Sequence, residues 1–205
     1  MIVITIMGIM AAMIAPGIGE FLADSRASAA AEALVRISRH MQARTQQTGL
    51  AHLLEFTAKS NDGSGGLGIV RVYEGMNNHC RQTPWNDTVK GSADNGHAPV
   101  DVLDMSSGEY NPAAGRPTSL DQNRQVIALH VVNTVGIDSA VICIEPGGTV
   151  WEGVATSDVG AGYVFTKPPS TKGIKFVVSR KMNNISRGVD RTVFFSTSGI
   201  ARFQF

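Results

Sequence analysis

Five histidines and two cysteines are the residues of this 205-residue chain best suited to metal or nucleophile chemistry. They are His40, His52, His79, His97 and His130, with Cys80 and Cys143. A structural zinc site needs Cys and His at short, repeated spacings. No pair here has them, and His79-Cys80 stands alone. His40 falls on a helical pattern, off its apolar stripe. His130 sits in an apolar strand pattern, as a satisfied core or edge histidine would. Asn61-Asp62-Gly63-Ser64-Gly65-Gly66 could wrap a cation but lacks the acidic residue that closes an EF-hand loop. A turn is the simpler reading, and Asp94-Asn95-Gly96 reads as another. There is no Gly-x-Ser-x-Gly elbow ahead of a helix and no P-loop. The chain is therefore expected to be non-enzymatic, with no cofactor, no metal and no small-molecule substrate.

Charge adds a second exclusion. Eighteen Lys and Arg against seventeen Asp and Glu leave a formal charge of +1, no basis for bulk nucleic-acid binding. An even cysteine count behind a membrane-targeting N-terminus allows a disulfide outside the cytoplasm. Two buried thiols are the alternative, and the sequence leaves both open.

The elements that must position these residues begin with an unusual N-terminus. Met1–Gly19 carries no charged side chain, and Pro16 lies inside the run. A cleaved signal peptide needs a basic start and a small-residue cleavage site; no Lys or Arg precedes Arg26, and Pro16 follows Ala15. A soluble core rarely encloses a helix apolar on every face. A membrane span needs roughly 20 apolar residues, so a span over this segment is the expectation, with a kink or loosening at Pro16. From Phe21 the period changes. Ala23, Ala27, Ala30, Leu34, Ile37 and Met41 form one helical stripe, and Gly49 is a natural stop. Leu34–Met41 is expected to dock on the chain's own domain, and the Ala-rich part to lie exposed for a partner.

After Thr48 the composition turns to short strands between Gly-, Asn- and Pro-rich turns. Strands are expected at Leu50–Ala58, Leu67–Tyr73, Gln125–Val132, Ala140–Ile144, Thr149–Trp151, Tyr163–Thr166, Ile174–Ser179, Thr192–Ser196 and Ile200–Phe205. Asn77 to Asn123 reads as a long excursion with little regular structure, a short apolar run at Val100–Leu103 and one or two short strands at most. Pro146-Gly147-Gly148 and Ser198-Gly199 read as tight turns. Strand, turn, strand in succession implies antiparallel pairing, in one or two sheets packed on the helix.

The apolar run with Ile4, Gly8, Ala11, Ala12 and Pro16 resembles the mature N-terminus of type IV pilins and type II secretion pseudopilins. The helix that follows, with Arg26, the Ala29–Ala31 run, Glu32, Leu34 and Val35, looks like the FimT/GspH type of minor subunit. Val141–Gly148 and Thr192–Gly199 resemble the two strand-to-Gly turns near the end of that family's head. In the family a Gly precedes the processed bond and a Glu follows at the fifth mature position. With the register set by Gly8 and Pro16, that Glu lies upstream of Met1, so the chain is expected to begin at an internal methionine. Taking Met1 as the mature start instead puts Thr5 in the Glu position and the Pro several residues too early. Some relatives of this type bind DNA through basic residues at the last Gly turn. Here Arg202 stands at that turn with Arg180, Lys181, Arg187 and Arg191 upstream, a candidate phosphate patch.

The resemblance implies an α+β fold: a helix over 1–48, with 1–22 for membrane or filament core and 23–48 packed on a β-rich head over 49–205. It implies a minor pilin or pseudopilin of a type IV pilus or a type II secretion system. Its partners would be other such subunits, and inner-membrane lipid before assembly, with a periplasmic head or an extracellular filament afterwards. The alternative is a single-span, membrane-anchored extracytoplasmic binding domain that never polymerises and could take DNA.

Overall fold

No Gly or Pro interrupts the chain between Glu20 and Thr48, and alanine, the strongest helix former, is its commonest residue. A helix propagates through all of it. The computed structural model describes residues 2–57, 68–81, 99–105, 125–132, 139–155, 163–166, 173–182, 185–196 and 198–204. Within residues 2–19 the described side chains are those of Val3 and Met7. Helix α1 runs Ile2–Thr48, 47 residues, roughly 70 Å at 1.5 Å per residue. It continues through Pro16 as one element. Gly49 ends it at φ 68°, and its N–H donates to the Thr45 carbonyl at 3.1 Å. That left-handed closing turn strains any residue with a Cβ.

Eleven strands follow among the described residues: β1 (His52–Thr57), β2 (Ile69–Glu74), β3 (Asp101–Asp104), β4 (Gln125–Val132), β5 (Ser139–Ile144), β6 (Val150–Ala155), β7 (Tyr163–Thr166), β8 (Ile174–Met182), β9 (Ile185–Ser186), β10 (Arg191–Phe195) and β11 (Ala201–Gln204). They form two antiparallel sheets. The first has the order β3-β2-β1-β5-β6-β7; the second has the order β11-β10-β8-β4, with β9 on β8. Both expected Gly turns close hairpins. Glu145 N–H donates to Thr149 O at 3.0 Å, and Ser196 N–H to Ile200 O at 3.1 Å. Gly148 and Gly199 lie at φ 79° in those turns. The expected strands at Leu50–Ala58, Thr149–Trp151 and Ile174–Ser179 differ at their ends: β1 starts two residues later, β6 runs on to Ala155 and β8 runs on to Met182.

One core joins the helix to both sheets. Strand alternation sends Leu54, Phe56, Val70, Val72, Ile142 and Ile144 inward from the first sheet. Phe176, Val178, Val193 and Phe195 come from the second. The sheets meet where the Phe56 ring stands edge-on to Phe176 with centroids 5.8 Å apart, and Phe176 in turn touches Phe195 at 5.0 Å. The whole predicted stripe from Ala23 to Met41 is buried in this core or at its edge.

The exposed Ala-rich face expected from the sequence is corrected here: Ala27, Ala30 and Ala31 are 0% exposed. The second sheet reaches far enough forward to cover them, since α1 packs on β4, β8 and β10 as well as on β1 and β3. Small side chains serve a close helix-to-sheet approach within the subunit itself.

A second cluster lies on the other face of the first sheet. Ala51, Leu53, Tyr73, Cys80, Val141, Cys143 and Phe165 bury one another there, with Trp151 half-buried beside them. Cys80 and Cys143 are disulfide-bonded across it, with Cα atoms 5.9 Å apart. Of the two alternatives the sequence left open, the bridge is the one the structure contains.

Candidate functional site

The functional question is how the helix is held and what it leaves uncovered. Two arginines of the second sheet grip its middle. Arg191 donates to Asp24 at 2.7 Å and to the Ser28 hydroxyl at 2.8 Å, and a third of its N–H groups reaches Val189 O at 3.0 Å. Arg180 donates to the backbone carbonyl of Glu20 at 3.1 Å and to Arg187 O at 3.2 Å. Planar guanidinium forks suit such multiple contacts. Between the Arg180 contact at Glu20 and the Arg191 contact at Asp24 the helix exposes Phe21 and Leu22, and Val189 of the β9–β10 turn is exposed as well. Val3 and Met7 are exposed further forward.

The rear of the helix is held by a polar network. Arg44 Nε donates to Glu74 Oε2 at 3.0 Å. His52 is fully buried, and its Nε2 lies 3.3 Å from the same carboxylate oxygen without hydrogen-bond geometry. Nδ1 lies 3.1 Å from both the Thr45 hydroxyl and Leu50 O. The Thr45 hydroxyl itself donates to Met41 O at 2.7 Å. Burial lowers the His52 pKa below its ordinary value near 6.5, and the Arg44 charge adds to the fall. Leu50 O and Glu74 pull the other way and are outweighed. Elsewhere desolvation raises Glu152 above the usual carboxylate range and Tyr73 above 10.0, Glu55 adding to the latter.

Among the described residues of the candidate phosphate set, Arg180 and Arg202 lie on opposite faces of the second sheet. Arg180 is only 8% exposed and turned toward the helix. Lys175 opposes Phe194, which opposes Arg202, so Lys175 and Arg202 share a row on the outer face of the second sheet. Arg180 is five residues from Lys175 along β8, an odd number, so it projects from the opposite face. Arg187 is exposed in the turn after β9, and the side chain of Lys181 lies outside the described residues.

The side chains of Ile4, Gly8, Ala11, Ala12 and Pro16 also lie outside them, although the helix backbone carries all five. So do the Asn61–Gly66 and Asp94–Gly96 turns, His97, and the side chain of His130. Among the described residues no helix is long and apolar enough to cross a membrane, so the span expected over Met1–Gly19 finds no support there. No group of three or more His, Cys, Asp or Glu among them is placed to hold a metal. His40 Nδ1 lies 3.4 Å from Asp101 of β3, and His79 lies 3.6 Å from Glu145.

Sequence reasoning missed the role of Arg191 and the Arg44–Glu74–His52–Thr45 network. One signal was present. Thr45 continues the apolar stripe four residues past Met41, and a polar residue on a buried stripe requires a partner.

Comparison with solved structures finds similarity to the type IV minor pilin FimU of Pseudomonas aeruginosa strain PAO1, in two crystal forms. One shares 12% identity over 90% of this chain and 92% of that one, with a TM-score of 0.41. The other shares 12% identity over 86% and 91%, with a TM-score of 0.38. No protein-family model matches the chain, and no curated protein does.

Proposed function

We propose that the chain is a pilin-like structural subunit, without enzymatic activity, that assembles with other subunits through the front of α1. One observation carries this reading: a single helix whose rear half is embedded in the head's core while its front carries Val3, Met7, Phe21 and Leu22 uncovered. Residues 2–19 would span about 27 Å as a helix, near the roughly 30 Å of a bilayer's hydrocarbon. The uncharged composition of this stretch suits storage in the inner membrane before assembly, with the head in the periplasm. At about 25 cal/mol per Å² of apolar surface, such a rod strongly favours lipid or sister helices over water. The N-terminal pattern favours a minor pilin of a type IV pilus or a pseudopilin of a type II secretion system.

The test is replacement of Met1–Gly19 by a leucine helix of equal length. A mere tether tolerates the exchange, whereas an assembly helix does not. Loss of pilus formation or of secretion, with membrane fractionation and head folding retained, is the expected result. Full function with the leucine helix sinks the assembly reading and leaves an anchored binding domain.

A further inference from the structure

We propose that the groove between α1 and β11 receives a peptide segment of a partner protein that carries one carboxylate beside an apolar side chain. The groove has a volume of about 550 Å³ and is lined by Glu32, Val35, Arg36, Arg39, His40 and Phe203. β11 is the terminal strand of its sheet, so a strand bounds one side and the helix the other. The helix residues that line it, Glu32 to His40, rise about 12 Å, and β11 contributes Phe203. The groove is therefore as long as a short extended peptide of about four residues.

Its chemistry is divided. Val35 is 8% exposed and belongs to the core, and the half-buried Phe203 packs against that core, so the floor is apolar. Arg36 and Arg39 are exposed on the rim, and neither forms an ion pair with a described residue. Three residues apart, they share a helix face and can close together on a single carboxylate. His40 is already directed at Asp101, 3.4 Å away, and so is a weaker claimant. Glu32 lies one turn before Arg36, so the groove is positive at one end and negative at the other.

That polarity selects the ligand. A phosphate backbone repeats its negative charge along its whole length and would set one against Glu32. A peptide with a single acidic residue places it at Arg36 and Arg39 and lays its apolar neighbour on Val35 and Phe203. Charged rims of this kind govern specificity and encounter rate.

The experiment uses the full chain in zwitterionic detergent. Its probe is a fluorescent eight-residue peptide alternating valine and threonine with one central glutamate, read by anisotropy. Saturable binding is expected, weakened about tenfold or more, equivalent to about 1.4 kcal/mol, when glutamine replaces the glutamate. Arg36→Glu with Arg39→Glu should lose the glutamate peptide and take up a lysine counterpart instead, an exchange that an unfolded variant cannot show. Equal binding of glutamate and glutamine peptides overturns the proposal. So does an Arg36- and Arg39-dependent preference for single-stranded DNA over the peptide. The measurement is made on isolated subunits, so it stands or falls apart from filament assembly.

Discussion

At His52 burial is opposed by the Leu50 carbonyl and the Glu74 carboxylate, and burial prevails. The ring is neutral in the fold at a pH where the unfolded chain already takes a proton. The sign follows from linkage. Above the ordinary value near 6.5 both states are neutral, and His52 makes stability insensitive to pH. Below it the unfolded state binds more protons, so stability falls with falling pH by up to about 1.4 kcal/mol per pH unit until the folded ring titrates. Urea unfolding at pH 7.5 and at pH 5.5 should show the loss, and His52→Asn should flatten that slope. An unchanged slope in the variant assigns the pH dependence to another group. Gly153 presents a steric case: a Cβ there would come within 3.0 Å of the Phe165 ring and 3.2 Å of Val141. Gly153→Val should therefore destabilise by about 1–3 kcal/mol, as overpacking does. Neither residue was legible in the sequence. His52 was one of five histidines without a spacing rule, and Gly153 one glycine among 22. Their meaning arises from residues far away in the chain, Thr45 and Glu74 for one, Val141 and Phe165 for the other.

The helix was the most legible element because its signals are local and repeated. Period, alanine content and the stop at Gly49 agree with one another, and α1 ends one residue before that glycine. What covers the Ala-rich stretch is decided by β8 and β10, more than a hundred residues later, so the face that looked available to a partner is occupied internally. Two predictions belong here. Ala30→Leu should force helix and sheet apart at a site that is 0% exposed, costing about 1–3 kcal/mol and lowering the thermal midpoint. Arg191→Ala removes three polar contacts from a residue with 11% side-chain exposure and should cost about 1–3 kcal/mol. Hydrogen exchange should then quicken around Asp24 and Ser28 while the helix near Met41 stays protected. Uniform acceleration along the helix contradicts that local role. The strands were legible where alternation and Gly turns coincide, as at β5–β6 and β10–β11. β9 escaped notice because two residues carry no period.

For the molecule as a whole, antiparallel pairing was readable from strand succession, but the division into two sheets was not. Nothing local tells β4 to join β8, or β1 to stand between β2 and β5. The disulfide was undecidable for the same reason. Cys80 and Cys143 are 63 positions apart and are brought together by the first sheet's outer cluster. Closing a loop of that length restricts the unfolded chain by about 4 kcal/mol on the chain-entropy account. Reduction, or the paired change Cys80→Ser with Cys143→Ser, should lower stability by about 2–5 kcal/mol. Chemical unfolding with and without reductant measures it. No difference between the two conditions would mean that structure persisting in the unfolded chain already keeps the two cysteines close, and would overturn the chain-entropy account.

Because α1 threads the core lengthwise and is gripped at both ends of its buried half, a pull along its axis meets the head broadside. Arg191, Arg180, the alanine seam and the Arg44–Glu74 pair all resist in shear and in parallel, instead of opening one after another as a zipper does. The head should therefore travel with the rod as a single rigid cargo under axial traction, and tear loose more readily when the force is applied sideways.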